Sequence, residues 1–509
     1  MVSLTSKGHA KRYALIAILA LACAALVMMV QLPAKAAHAD ESAVKMNRLY
    51  NPNSGEHFYT ASPVEKVSLM DAGWNYEGIG WTAPADGNAV YRLYSGTDHH
   101  YTMSEVERDH LVSVGWSYEG IGWYSDAGES VALYRQFNPN VQPSAPTNNS
   151  GSHNYTLSKV ENDSLVSAGW NEEGIGWYGI NDTSEQDLFL GSFFIDTPGQ
   201  GAGFETALCY TRDGINFTKA STPFASNADP LHDPSIMFKD GTFYMLSNWN
   251  RNNGRFYPMI SYSENLVDWS QPEGLGLING GSYDGISLPS MPFGISDFDV
   301  VAPEWFVDDN GDTYIVFSAG FYGEYHGQPE SDRMKVYAVK VDISNDGLAL
   351  STSGSGKHFP QGLRLDASTA FEIQGLEASD NYIDSSIYKD GDTYYLITKK
   401  DGVNNQIYAN SSMSPDGWHL VNTNIATGNE GPTMVNVDGV YMLYTDMIAT
   451  YHGQTGIQVS ASLGESQHFS APQSISCVDS SGNKVTLRHG TVIKLEGEAK
   501  ALGETFIRL

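Results

Sequence analysis

Three features are scarce in this 509-residue chain, and each scarcity removes a reading. Cysteine occurs three times, at Cys23, Cys209 and Cys477. That is too few for a disulfide scaffold, and no histidine sits at metal-ligand spacing beside them, so nothing suggests a cysteine-based metal site or nucleophile. Cys209 and Cys477 allow one disulfide in an oxidising exterior or two buried thiols. Basic residues number 29 against 59 acidic ones, a formal charge of −30. A polyanion such as nucleic acid would be repelled, although the charge names no substrate. Long apolar runs are confined to residues 13–30, so nothing further along could span a bilayer.

That single run has a context. Lys7, Lys11 and Arg12 precede it, and small-residue sites follow at Ala34-Lys35-Ala36 and Ala37-His38-Ala39. A basic start, an apolar stretch and an A-x-A site describe a secretory signal peptide over residues 1–39. Cleavage is expected after Ala39, with Ala36 as the second site, and a retained membrane anchor is the alternative. Without residues 1–39, 25 basic groups face 59 acidic ones. The expected product is secreted, extracellular and without a membrane span. A hydrophobic content of 41% suits two or three globular domains rather than a disordered chain.

Residues 40–180 hold a threefold repeat. One copy runs from Asn47 to Trp81, the next from Tyr91 to Tyr124, and the third from Leu133 to Tyr178. Tryptophans seven apart mark every copy: Trp74 and Trp81, Trp116 and Trp123, Trp170 and Trp177. Each copy reads as two short strands, a short helix opening after a serine N-cap, and a closing strand. A unit this small cannot bury its apolar face alone, so the three are expected to pack together as a small α+β domain. Its tryptophans and tyrosines serve a core or a binding face for carbohydrate or cell envelope.

A polar stretch at residues 179–186 reads as a linker. From residue 187 to residue 509 helical periodicity nearly vanishes, and Val/Ile/Phe/Tyr-rich runs alternate with Asp-Gly and Asn-Gly turns. Four hairpins share one grammar, beginning at Asp233, Ala302, Asp384 and Glu430 and turning at Asp240-Gly241, Asn310-Gly311, Asp390-Gly391 and Asp438-Gly439. Repeated four-stranded sheets of this spacing predict an all-β, five-bladed β-propeller. The fifth blade would join the C-terminal TLRHGTVIKL to a strand near the start, such as DLFLGSFFI or ETALCYT. First strands line the channel, so Asp233, Asp384 and Glu430 should converge at equivalent positions on one mouth. Burying several carboxylates there costs free energy, which points to a site rather than a structural need. Asp297, Asp299 and Glu304 are the rivals if the register differs.

The set Asp-Pro, Ala-Pro-Glu, Ile-Asp-Ser-Ser-Ile-Tyr and Glu-Gly-Pro, in that order, resembles glycoside hydrolase family 43, as does the segment SENLVDW. Val301 and Ser385 stand where the family often has Trp and Pro, which leaves the subfamily open. The resemblance implies Asp233 as general base, Glu430 as general acid and Asp384 as the residue that tunes and orients the acid. It implies an inverting hydrolase of a polysaccharide or oligosaccharide containing pentoses, of α-L-arabinofuranosidase or β-xylosidase type. Inversion needs the two working carboxyls about 6.5–9.5 Å apart. His489 matches a family histidine near a hydrated cation, so the resemblance leaves room for a structural calcium in the channel, with no cofactor required. The ends of the return strands should line the pocket: Asn248, Trp249, Phe321, Lys399 and Asp446. His232, Trp249 and Phe321 are the candidate substrate contacts. Two alternatives remain: a retaining fructan-active propeller, which lacks its Asn-Asp-Pro segment here, and a non-catalytic carbohydrate-binding or adhesion protein on a propeller scaffold.

Overall fold

A computed structural model describes residues 43–508 apart from 140–150, 182–185, 197–203, 222–230, 251–255, 275–281, 284–285, 288–298, 321–332, 344–362, 366–368, 426–428, 448–455 and 465–467. The predicted signal segment therefore lies outside the described residues. Among those described, no helix is long and apolar enough to cross a membrane.

Each repeat folds as the sequence predicts. Three antiparallel three-stranded sheets form, with helices Pro63–Asp71, Glu105–Ser113 and Lys159–Ser167. Ser62, Ser104 and Ser158 cap these helices by accepting from the amides of Glu65, Glu107 and Glu161. The three units close on their aromatics. Trp81, Trp123 and Trp177 are buried, with ring centroids 5.2, 5.5 and 5.1 Å apart. Tyr59, Tyr101 and Tyr155 form a second triangle beside them. These six rings form the core together with Met46, Ala83, Val90 and Leu133, while Trp74, Trp116 and Trp170 are only half-buried.

A ring of ion pairs encircles that core. Arg48 bridges Glu77 of its own repeat (2.8 Å) and Glu161 of the third (2.8 Å). Arg92 bridges Glu119 (3.0 Å) and Glu65 of the first (3.1 Å), and Arg135 bridges Glu173 (2.7 Å) and Glu107 of the second (3.2 Å). Every helix thus lends one acid to a neighbouring repeat, and the exchange closes after three steps.

The rest of the described chain is built of β-strands, followed by one helix, Gly497–Phe506. Four sheets follow in order, opening on strands Leu231–Lys239, Asp299–Val307, Tyr382–Asp390 and Asn429–Val437. The turns at Asp240-Gly241 and Asp438-Gly439 have positive φ at both residues, as a two-residue hairpin with the strands' twist requires. A closing sheet pairs Leu188–Asp196 with the C-terminal strand Leu487–Leu495 on one side and Phe204–Thr211 on the other. The two ends of the β-region are thereby stitched together, as expected. The five innermost strands touch in a cycle: 231–239, 299–307, 382–390, 429–437, 487–495 and back to 231–239. Cys209 and Cys477 are free, buried thiols joined by a side-chain hydrogen bond in the closing sheet.

The first repeat docks on this region. Leu49, Phe58, Met70 and Tyr76 join one apolar cluster with Phe189, Val435, Tyr444 and Val459. Gln473 accepts from the Tyr76 amide at 2.9 Å and donates to the Tyr76 carbonyl, so its side chain satisfies backbone groups on the open edge of strand Asn75–Pro84.

Candidate active site

The innermost strands share a backbone irregularity that places the site. Each register slips once near its start: between His232 and Ser235, Val301 and Glu304, Ile383 and Ser386, and Glu430 and Thr433. At each slip one residue is left-handed: Asp233 (φ 50°), Ala302 (44°), Asp384 (53°) and Gly431 (58°). Such bulges re-aim side chains and recur beside active sites. Aspartate tolerates this conformation better than most residues, and alanine does not, so Ala302 marks a bend set by the fold.

This register corrects one expectation. Asp233 and Asp384 do occupy equivalent positions, but Glu430 lies one residue earlier, and Gly431 holds the equivalent place. The reason is steric. A Cβ at Gly431 would lie 2.5 Å from the His489 ring. His489 fills the space, so the fourth sheet's acid stands one step back.

His489 interrupts the pairing of the closing strand and lies in the centre of a charged cluster. Its Nδ1 sits 3.0 Å from Asp233 Oδ1, and Asn248 Nδ2 donates to Asp233 Oδ2 at 3.2 Å. Burial pushes Asp233 up, but the charge and hydrogen bond of His489 outweigh it and hold the carboxyl down at about 2. Burial likewise works against a charged His489, yet Asp233 and Asp384 together raise it to about 10. Asp233 is therefore a carboxylate and His489 an imidazolium across the neutral range.

The neighbouring acids differ. Burial lifts Asp384 to about 6, with Glu430 reinforcing the shift and His489 opposing it. Its Oδ2 accepts from the Gly431 amide at 3.2 Å. Glu430 Oε2 is 2.7 Å from Lys399 Nζ. Burial also lifts Glu304, to about 7, although the Thr491 hydroxyl donates to it at 2.6 Å. The carboxyls poised near neutrality are thus Asp384 and Glu304. Glu304 stood in the sequence only as a rival; its buried place beside Asp233 and His489 follows from the bulge at Ala302, which the pattern does not reveal.

Other expected residues fall as follows. Asn248, Lys399 and Asp446, at the ends of return strands, each contact the cluster or its rim; Asp446 is held by Arg488 Nε at 2.7 Å. His232 is half-buried, with rings of Phe194 and Phe256 at 5.5 and 6.2 Å. Asp299 accepts from the Phe256 amide at 3.2 Å and faces a structural partner. Phe321, Asp297 and the side chain of Trp249 lie outside the described residues. Among the described residues no group of three or more His, Cys, Asp or Glu side chains could hold a metal ion.

The cluster can therefore offer one committed carboxylate, two carboxyls that exchange protons near neutrality, and a fourth acid on a lysine. That is the equipment of general acid–base chemistry.

Comparison with known proteins agrees in kind. Residues 233–500 match a family described as a probable glycosyl hydrolase domain, related to glycoside hydrolase family 43. Residues 45–180 match a domain family described as of unknown function. No curated protein matches the sequence. Among solved structures, an exo-β-1,3-galactanase from Phanerochaete chrysosporium with β-1,3-galactotriose is 17% identical, with 48% of this chain and 49% of that chain covered and a TM-score of 0.33. This chain thus spans about half the length of the galactanase. An α-L-arabinofuranosidase from Lactobacillus brevis is 15% identical, with 52% and 90% covered and a TM-score of 0.32. The family match, rather than these distant likenesses, carries the assignment.

Proposed function

The chain belongs to the family of glycosyl hydrolase domains related to glycoside hydrolase family 43, and from that premise we propose that it is a secreted, inverting glycoside hydrolase built on a five-bladed β-propeller. The observation that carries the reading is the split among the clustered acids: Asp233 held as a carboxylate by His489 at 3.0 Å, beside Asp384 lifted to about 6. Asp233 takes a proton from water as that water attacks the anomeric carbon. A carboxylic acid on the far side protonates the leaving oxygen, and the sugar inverts in one displacement. The family assigns that acid role to Glu430, with Asp384 orienting it. The cyclic contact of the five innermost strands supports the propeller. The substrate class is a pentose-containing polysaccharide or oligosaccharide, a reading that rests on the resemblance of the blade motifs. The repeats serve as a carbohydrate or cell-envelope module.

The test is a screen of the protein on nitrophenyl arabinofuranosides, xylosides and galactosides, with arabinan and xylan, and Asp233→Ala as control. Turnover of a pentoside with inverted product supports the reading. Failure on every substrate sinks it, and a trapped covalent glycosyl-enzyme sinks inversion.

One observation favours a second reading of the acid. Lys399 lies 2.7 Å from Glu430, whereas Asp384 is the acid raised towards neutrality. Under this reading Asp384 donates the proton and Glu430 positions Lys399. A substrate with a very good leaving group needs no acid. Restored turnover of a dinitrophenyl glycoside by Asp384→Asn, but not by Glu430→Gln, would assign the donor to Asp384; the reverse pattern returns it to Glu430.

A further inference from the structure

A cleft of about 920 Å³ lies where the first and third repeats meet the outer strands of the fourth and closing sheets. None of Asp233, Asp384, Glu430 or His489 lines it, so it is separate from the carboxylate cluster. Its size is that of a ligand site rather than a packing fault.

The lining is specific in chemistry. Trp74 contributes a half-buried indole, packed edge-on to Phe58 at 6.2 Å. Asn75 supplies an exposed amide, Ser474 and Ser476 supply exposed hydroxyls, and the amide of Asn216 is held in place by donating to the Glu77 carbonyl and to Asp213. The charged residues lining it are Arg48, Glu77 and Glu161, and the guanidinium is already matched by both carboxylates at 2.8 Å. No cation is left to recruit an acidic ligand, and the excess carboxylate repels one. Two acids accept hydrogen bonds, amides give and accept them, and an indole offers an apolar face. A neutral polyhydroxylated chain, with hydroxyls around its edge and C–H groups on its faces, fits all three.

The threefold repeat supplies an internal control. Trp116 and Glu119, and Trp170 and Glu173, occupy the places of Trp74 and Glu77 in the other two copies. Neither pair lines the cleft, because only the first repeat has a wall of β-strands opposite. The site exists because a repeat has docked, not because a repeat binds sugar by itself.

We propose that this cleft is a second carbohydrate site, which holds a short run of neutral sugars in a polymer while the channel cleaves elsewhere along it. The proposal rests on the glycosidase reading and names the place through which the repeats serve it.

The test uses the whole chain and three probes: arabinan, xylan and β-1,3-galactan, with polygalacturonate as the acidic control. Affinity is read by retardation in native gels containing each polymer, and nitrophenyl glycoside turnover is measured in parallel. Ser476→Trp fills the cleft from an exposed position, and Trp74→Ala removes its aromatic surface. Each should weaken binding of a neutral polymer by about tenfold, the scale of one aromatic contact, with nitrophenyl turnover unchanged. Since Trp74 also packs on Phe58, its variant counts only if its melting temperature stays near that of the parent, and Ser476→Trp decides otherwise. Parental affinity in Ser476→Trp overturns the proposal. So does a parent that binds none of the neutral polymers, or that binds polygalacturonate more tightly. Loss of polymer binding in a protein that turns over no nitrophenyl glycoside would instead refute the hydrolase and leave the cleft standing.

Discussion

The molecule is built twice by repetition, and the two repetitions treat symmetry in opposite ways. In the repeat domain the three copies keep the same residues in the same roles. Three tryptophans meet three tyrosines, and each arginine bridges one acid of its own copy and one of a neighbour. Among the innermost strands the backbone repeats, with a left-handed residue at each of four bulges, but the side chains do not. The bulge positions read Asp, Ala, Asp and Gly, and the fifth strand brings His489 into the space beside them. A residue kept and buried in every copy is doing what every copy needs, which is packing. A residue that differs where the backbone is the same is free of that duty and can carry chemistry.

Asp233→Ala is the sharpest way to break the comparison. It should lower turnover by about 10²–10⁴-fold, as loss of a general base does, with the fold intact by circular dichroism. Trp177→Ala is its mirror image. Loss of a fully buried indole should cost about 3–5 kcal/mol of stability in denaturant titration, with kcat/KM on nitrophenyl glycosides unchanged while the protein remains folded. A change in catalysis from the second, or in stability alone from the first, would erase the distinction.

His489→Gln tests the broken symmetry by pH. Without the imidazolium, the acidic limb of the turnover profile should move up by more than about one pH unit, because Asp233 loses the charge that holds it at about 2. Stability gives an independent reading. The folded value of His489 is raised to about 10, so its stabilisation is complete below the ordinary histidine value and fades as pH rises through about 10. The parent's advantage in melting temperature over the variant should thus be largest near pH 6 and vanish towards pH 10. A pH-independent difference would reduce His489 to a packing residue.

The smallest effect is expected at the ion-pair ring. Glu161→Gln leaves a hydrogen bond to Arg48 and removes one charge from a part-exposed pair, so no more than about 1 kcal/mol should be lost. Equal losses for Glu65→Gln and Glu107→Gln would show the three pairs to be equivalent, as the symmetric geometry implies.

The repeats, their serine caps, the Asp-Gly hairpins and the joining of the C-terminal strand to Leu188–Asp196 were all legible, because local turn chemistry and alternation encode them. The sign of φ at a bulge is not so encoded. Ala302 adopts it with no glycine or asparagine to announce it, and the one-residue offset of Glu430 follows only from the space His489 fills. The pairing of His489 with Asp233 joins residues 256 positions apart and on different sheets, beyond any spacing rule. Gly431 is the partial exception: Glu-Gly-Pro was distinctive before its cause was visible.

The closing strand has a consequence in time. Arg488, His489 and Thr491 contact Asp446, Asp233 and Glu304 on three different sheets. Chains are made at about 5–20 residues per second, and domains fold as they emerge. A ribosome that halts before residue 487 leaves Asp233 without its counter-ion and the ring of strands without its fifth member. The cluster of carboxylates therefore cannot be assembled until residues 487–495 have left the ribosome, and the pairing of Asp233 with His489 comes after every other sheet of the ring is made.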